Sequence, residues 1–368
     1  MEYKEDWPQA QERIEAWWEG RLLDRPCLQV TAPRSGQEEA LKSATIRPPE
    51  ITLERWWTDV DYVMERQTQR IASTFWGGEA FPLFNPNLGP DTFAAFFGAP
   101  MRFLDESTNW VEPIIDDWDH APALCISENS PWWRKQLQLV RAGQEAGRGR
   151  WLTGIPDTHS GADALSALRG RARLCLDLYD NPAVVRQAMD KMVEAVRYAY
   201  DVYFGIVEPN RYGSTSGWLP AWHLGRANVI QCDFIALISP AMMRDFVLPS
   251  ILAEACSLER AIFHLDGPDA ICHLETLLAV PEIQAIQWVP GAGALPMTRW
   301  IPLLQRIQAA HKSIHVSATP EEVPTLLDAL NPAGLMIHTS ARSENEARDL
   351  LALVASAATT SRTPNSRC

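Results

Sequence analysis

Short apolar runs alternate with amphipathic stretches along the second half of the chain. From about residue 150 onward, apolar runs that end in polar residues predict strands at 150–160, 211–219, 228–237, 260–267, 285–291, 313–318 and 335–341. Segments with helical periodicity lie between most of them, including a long one entered at Asp180-Asn181-Pro182. Residues 25–32, which follow a helical pattern over 8–20, supply an earlier strand.

Strands that alternate with helices imply a mainly parallel sheet. Eight such units in about 350 residues predict an α/β fold of the TIM (β/α)8 barrel class with an insertion after the first strand. We expect residues 1–357 to form one domain, in which 33–149 is the insertion and serves as a lid or an interface, and 358–368 to be a disordered tail. An open doubly wound sheet is the alternative, although no Gly-rich phosphate loop follows any predicted strand.

The composition narrows the class of protein. A net charge of -13 without a basic block argues against nucleic acid as a partner. No apolar run approaches the roughly 20 residues of a membrane span, and the charged N-terminus does not resemble a signal peptide, so we expect a cytoplasmic protein. The seven cysteines form no CxxC pair, which argues against a disulfide framework. The 15 tryptophans could build the core or line a ligand pocket.

Polar residues gather at the predicted carboxyl ends of the strands, where a TIM barrel carries its chemistry. His264 and Asp266 are two residues apart, so they share one face of a strand, and Ile262 on the same face suits a barrel interior. The pair could bind a metal or act as acid and base, or Asp266 could merely cap the helix that begins at Gly267-Pro268. The catalytic candidates are His264, Asp266, Asp233 and Asp157.

Other side chains near predicted strand ends are candidates for binding. Tryptophan rings could stack on a flat ligand or cage a cation. The substrate-binding candidates are His159, Trp218, Trp222, His223, Trp288 and Ser340. The metal-ligand candidates are His264, Asp266, Cys232 and His338.

Several segments, in order along the chain, resemble the uroporphyrinogen decarboxylase superfamily, which includes corrinoid-linked zinc methyltransferases. Residues 20–30 are similar to the entry into the first strand, 97–115 to the segment before the second, and 176–196 to the long helix. Residues 229–251 are similar to an Asp-containing strand with its Ser-Pro helix, and FHLDG at 263–267 to the His-x-Cys-Gly strand of the methyltransferases. The resemblance implies a TIM barrel, often dimeric.

The chain also departs from both branches of that superfamily. The decarboxylases carry two arginines after the first strand, where this chain has TAPRSGQEEA and only Arg34. In the methyltransferase motif His264 matches the His, Asp266 replaces the first Cys, and MIHTSARS near the last strand has no Cys. A His/Asp zinc site and a metal-free site both stay open.

Together these features predict an enzyme acting on a small molecule. The resemblance favours a methyltransferase that passes a methyl group from a small donor to a corrinoid protein or related acceptor. The alternatives are a metal-free decarboxylase, a hydrolase using Asp233 and Asp266 as a carboxylate pair, and a non-catalytic ligand-binding barrel.

Overall fold

A seven-stranded sheet forms the centre of the computed structural model, which describes residues 1–207, 212–291, 293 and 295–360. Its strands follow the order β2-β1-β11-β10-β9-β8-β7, and all neighbours are parallel except β2 and β1. The members are β1 Cys27–Pro33, β2 Thr74–Gly78, β7 Ala227–Gln231, β8 Arg260–Asp266, β9 Ala285–Val289, β10 Ser313–Ser317 and β11 Leu335–Ser340.

Two short pairings lie outside this sheet. β3 Leu83–Phe84 pairs in parallel with β6 Leu152–Thr153, and β4 Met101–Phe103 pairs antiparallel with β5 Asn109–Val111. A parallel bridge joins Ile155 to Ser216. The architecture is a mixed α/β fold with a mostly parallel sheet, consistent with a TIM-like arrangement.

Helices connect the strands, as their amphipathic periodicity predicts. They are α1 Trp7–Trp18, α2 Glu38–Thr45, α3 Leu53–Thr58, α4 Val60–Ala72, α5 Thr92–Ala95, α6 Pro131–Gly147, α7 Gly161–Arg169, α8 Arg171–Asp180, α9 Pro182–Val207, α10 Pro240–Met242, α11 Leu248–Ala255, α12 Leu274–Leu278, α13 Ile301–Ala309, α14 Val323–Ala329 and α15 Glu344–Thr360. A π-turn over Met243–Val247 joins α10 to α11. No helix in the described ranges is long and apolar enough to cross a bilayer.

Alternate side chains of the central strands pack on opposite faces of the sheet, into two different apolar clusters. On β8, Ala261, Phe263 and Leu265 pack into the large core beneath the helices. Ile262 belongs instead to an inner apolar cluster with Val229, Ala285 and Met336 from the neighbouring strands. The period-two alternation of a strand therefore places His264 and Asp266 on the inner face, above that cluster.

Three predicted strands differ from the structure. The strand predicted at 228–237 ends at Gln231, because the Asp163 carboxylate accepts the backbone N–H groups of Asp233 and Phe234 and starts a 3-10 turn over Asp233–Leu237. The strand predicted at 150–160 is regular only over Leu152–Thr153.

The strand predicted at 211–219 begins outside the described residues and is reduced to bridges at Ser214 and Ser216. The disordered tail predicted for 358–368 lies outside the described residues from 361 onward, and the last helix continues to Thr360.

Candidate metal centre and ligand cavity

His264 is held in one orientation on the inner face of β8. Its Nδ1 lies 2.6 Å from Gln287 Oε1 on the paired strand β9. Because an amide oxygen only accepts, Nδ1 donates this hydrogen bond, and in the neutral imidazole the lone pair is then on Nε2. The Trp218 ring meets the imidazole edge-on, with the ring centroids 5.0 Å apart. The hydrogen bond and the ring contact leave Nε2 as the reactive atom of His264.

Asp233 and Asp266 bring two carboxylates to the same place. One ligand atom each from Asp233, His264 and Asp266 lies within 4.8 Å of the others. Asp233 Oδ1 and Asp266 Oδ1 are both buried and have no hydrogen-bond partner within the described part of the chain. Burial raises the pKa of Asp266, with the nearby His264 opposing and Asp233 adding to the rise. Two carboxylate oxygens without described partners, beside an imidazole nitrogen, form a donor set that could hold a cation.

His159 supplies positive charge beside this group. Its Nδ1 lies 3.6 Å from Asp91 Oδ1, and its Nε2 lies 3.9 Å from Asp233 Oδ2. Burial disfavours the charged imidazole, but Asp91 and the neighbouring carboxylates outweigh burial and raise the pKa of His159 to about 10. A protonated imidazole has no lone pair for a metal. In the absence of a metal, His159 therefore balances the charge of the neighbouring carboxylates.

Asp163 and Asp157 surround the same group. Asp163 could also reach a cation together with His159 and Asp233, but its oxygens already accept backbone N–H groups of Asp233 and Phe234 at 2.9 and 2.8 Å. Burial raises the pKa of Asp157, whose carboxylate accepts a hydrogen bond from Gln231 Nε2. Asp163 thus positions the turn that carries Asp233, while Asp157 is a partly buried acid close to His159.

A large cavity opens next to the His264 site. Its volume is about 730 Å³, and it lies at the carboxyl ends of β1 and β11. Thr31, His338 and Ser340 form its floor, and Trp218, the residue that contacts His264, forms part of its wall. The opposite wall comes from residues of the 33–149 region, including Trp56, Trp57, Arg66, Arg70 and Trp76.

The structure places most of the predicted residues together. His264, Asp266 and Asp233 form one group, with His159 and Asp157 adjacent to it. Trp218 and Ser340 line the cavity. His338 lines the same cavity and stacks on His315 at 6.5 Å, outside the described groups that could hold a cation.

Two predicted binding residues lie at the amino end of the sheet, away from His264. His223 Nδ1 contacts Glu15 Oε1 at 2.6 Å and its Nε2 lies 3.5 Å from Glu259 Oε2, immediately before β8. Trp222 is buried among residues such as Trp7. The reason is an antiparallel bridge between Ser214 and His223, which turns the chain back to the amino end. Neither residue can share a ligand with His264.

Two further predicted residues face the helices. Trp288 is fully buried and packs on Trp300 at 4.9 Å, on the face of β9 opposite Gln287. Cys232 lies in the large core, where burial raises the pKa of its thiol far above the usual range. Cys232 also lies outside the described groups of residues that could hold a cation.

Sequence reasoning missed several residues of the site. Gln287 fixes His264, Asp91 and Asp163 surround His159 and Asp233, and Arg66 and Arg70 line the cavity. A polar amide within the otherwise apolar strand β9 was the available signal for Gln287.

Comparisons with known proteins show the fold of this chain. No protein-family model matches it, and no curated protein matches its sequence. Among solved structures, a methyltransferase from Methanosarcina mazei superposes with a TM-score of 0.62 at 11% sequence identity, covering 96% of this chain and 99% of that one. At this identity the likeness concerns the fold along nearly the whole length of both chains.

Proposed function

We propose that this protein is an enzyme that transfers a methyl group from a small donor, using a metal ion held by Asp233, His264 and Asp266. The observation that carries the proposal is the set of three converging donor atoms with two unpartnered buried oxygens. The fold likeness to a methyltransferase supports the reaction type. The acceptor in this proposal is a corrinoid protein, as the resemblance of the 263–267 strand implies.

The donor set fits zinc. Zinc accepts imidazole nitrogen and carboxylate oxygen, and catalytic zinc sites commonly have three protein ligands and one open position. Metal-bound histidines usually donate their second N–H to a fixed acceptor, as His264 does to Gln287. Zinc bound here would supply Lewis acidity toward the donor molecule. The chain itself orients His264 through Gln287, places Asp233 through Asp163, and encloses the donor beside Trp218.

We also infer that the strands close into a TIM-type barrel. The seven-stranded sheet accounts for most of the circumference, and the parallel β3–β6 pairing and the Ile155–Ser216 bridge supply short segments between its edges. A closed barrel would bring Asp157 and His159 to the same end as His264 and Asp266, in agreement with the influence of His264 on the pKa of Asp157 and of His159 on the pKa of Asp266. The single domain over 1–357 and a homodimer stay predictions.

Methyl transfer can be tested directly. The zinc-supplemented protein would be mixed with cob(I)alamin and, in turn, methanol, methylamines, methyl thioethers and methoxyaromatics, both neutral and anionic, and methylcobalamin would be followed by absorbance. We expect one donor class to be demethylated, and His264→Ala and Asp266→Ala to lose at least about 100-fold in rate, while His223→Ala keeps its activity. If no donor reacts, or if His264→Ala is as active as wild type, the proposal fails.

Asp157 favours a second candidate, a metal-free carboxy-lyase. Burial raises the pKa of this acid, which favours its protonated form, and from its place beside His159 it could deliver a proton to the carbanion left by departing CO₂. Release of CO₂ from a carboxylated substrate in the presence of a chelator, abolished in Asp157→Asn, would establish this activity in place of methyl transfer.

A further inference from the structure

Two arginines of α4 face the cavity without an acidic partner among the described residues. Arg66 and Arg70 are four residues apart, so they lie on the same side of the helix, and both line the cavity wall. Two like charges at this spacing repel each other. The fold of α4 does not require two arginines at this spacing. A bound anion would offset their repulsion, which indicates a ligand.

Arg66 is held by an aromatic ring. Its guanidinium lies over the Trp56 ring, 3.7 Å from the ring centroid, and its only described hydrogen bond is a long one of 3.5 Å to the Trp56 carbonyl. Its Nε is buried and has no partner. Burial lowers the pKa of Arg66 to about 10, which leaves it charged at neutral pH. The stacking orients the guanidinium and leaves donors free.

Arg70 is anchored by neutral groups, and its guanidinium also lies 6.0 Å from the centroid of the Trp76 ring. Its Nε donates to Gln67 Oε1 at 2.6 Å, and Nη2 donates to the Leu83 carbonyl at 2.7 Å. Both acceptors are neutral. Burial and the adjacent Arg66 lower the pKa of Arg70 to about 10, and no carboxylate contributes to its charge balance. Its remaining N–H groups have no described acceptor.

The rest of the cavity leaves this positive charge uncompensated. The acid in its described lining is Glu106, which already pairs with Arg47 at 2.5 Å. The whole chain has a net charge of -13, so a cationic cavity runs against its overall balance. Buried guanidinium groups are normally paired, and carboxylates, sulfonates and phosphates suit their planar donors.

We propose that the cavity binds a small organic anion, whose charged group is held by Arg66 and Arg70 and whose flat or apolar part lies against Trp56 and Trp76. This proposal rests on the proposed function in one respect: the anion is taken to be part of the methyl donor. Trp218 links the two sites, because it lines the cavity and contacts His264. An anion anchored on α4 would therefore present its other end toward the candidate metal centre.

Calorimetric titration tests this subsite. The probes are benzoate, benzenesulfonate and phenyl phosphate, which distinguish the three kinds of anion, and neutral benzamide is the matched uncharged probe. We expect at least one anion to bind at least about 10-fold more tightly than benzamide, and Arg66→Gln to remove that advantage. Arg66→Lys should keep part of the affinity, because it retains charge without the planar fork.

The controls separate binding from folding and from catalysis. Arg226→Gln removes a guanidinium that stacks on Tyr200 and pairs with Asp201 far from the cavity, and it should bind the anion normally. Arg70→Gln should weaken anion binding as Arg66→Gln does, and its cooperative unfolding would show that the variant is folded. His264→Ala should still bind the anion, so that loss of methyl transfer leaves this subsite standing. Equal binding of anions and benzamide, or unchanged binding in Arg66→Gln, overturns the proposal.

Discussion

The two ends of the central sheet differ in how their buried polar groups are paired. At the amino end, Glu79 is fully buried, and its carboxylate accepts bonds from Arg25 at 2.7 and 2.8 Å and from the Leu28 N–H at 2.7 Å. His223 is likewise paired with Glu15. At the carboxyl end, Asp233 Oδ1, Asp266 Oδ1 and Arg66 Nε are buried without described partners.

This difference distinguishes residues that stabilise the fold from residues that we propose to bind ligands. A buried polar atom without a hydrogen-bond partner is costly, so a protein tends to keep one where another group supplies the partner. The amino end is closed by α1, whose Trp17 Nε1 donates to the Ile314 carbonyl at the start of β10. The carboxyl end is open to a cavity. We infer that the first end maintains the fold, and we propose that the second binds a cation and an anion.

The largest expected effect is at the amino end. Glu79→Ala leaves the guanidinium of Arg25, whose side chain is 10% exposed, without its partner. We expect the free energy of unfolding to fall by about 3–5 kcal/mol, measured by urea denaturation. Metal binding per folded molecule should not change. A loss of metal affinity in folded Glu79→Ala would break the separation between the two ends.

A pH-dependent effect on stability is expected from Glu254, which lies close to His159. Glu254 accepts a hydrogen bond from Ser160 Oγ at 2.7 Å, next to His159. Burial raises its pKa to about 7, Asp163 adds to the rise, and Ser160 and Arg197 oppose it. The folded state therefore holds a proton that the unfolded state has released between about pH 4.5 and 7, so this group makes stability fall as pH rises through that window.

Glu254→Gln removes this titration but keeps an acceptor for Ser160. Because Glu254 is only partly buried, we expect a modest effect. The free energy of unfolding of the variant should rise by about 1–3 kcal/mol relative to wild type between pH 4.5 and 7.5, measured by denaturation at each pH. A constant difference across the range would show that Glu254 does not titrate as described.

A smaller effect is expected from Gln287, which orients His264. Gln287→Ala should weaken zinc binding about 10- to 100-fold, or about 1.4–2.7 kcal/mol, in a competition titration with a chelating dye. Trp288→Phe is the matched control, because the adjacent side chain faces the helices. Equal zinc affinity in Gln287→Ala and wild type would remove Gln287 from the site.

The smallest effect is expected at His223. His223→Ala loses the bond to Glu15 at the amino end and should lower the free energy of unfolding by about 1 kcal/mol. Thermal denaturation measures this change, and the anion probes should bind as to wild type. Weaker anion binding in this variant would place His223 near the cavity after all.

Local periodicity was enough to predict part of this arrangement. The two-residue spacing of His264 and Asp266, with Ile262 behind them, predicts their shared inner face, and Asp233 follows from the end of the neighbouring strand.

The remaining parts depend on contacts that no local pattern encodes. Trp222 and His223 look like strand-end residues until the chain is seen to reverse at the Ser214–His223 bridge without an intervening helix. Arg66 and Arg70 lie in a region without a strand–helix rhythm, so the cavity that they face could not be predicted. Asp163 acts through a long-range bond to the backbone after β7.

Metal content tests the central claim most directly. Protein purified without a chelator or an affinity tag, then dialysed against zinc, would be analysed by plasma mass spectrometry alongside His264→Ala, Asp266→Ala and His223→Ala. We predict about one zinc per chain in wild type and in His223→Ala, and loss of that zinc in the other two variants. Wild type without zinc, or zinc retained in both His264→Ala and Asp266→Ala, would contradict a metal centre at the carboxyl end of the sheet.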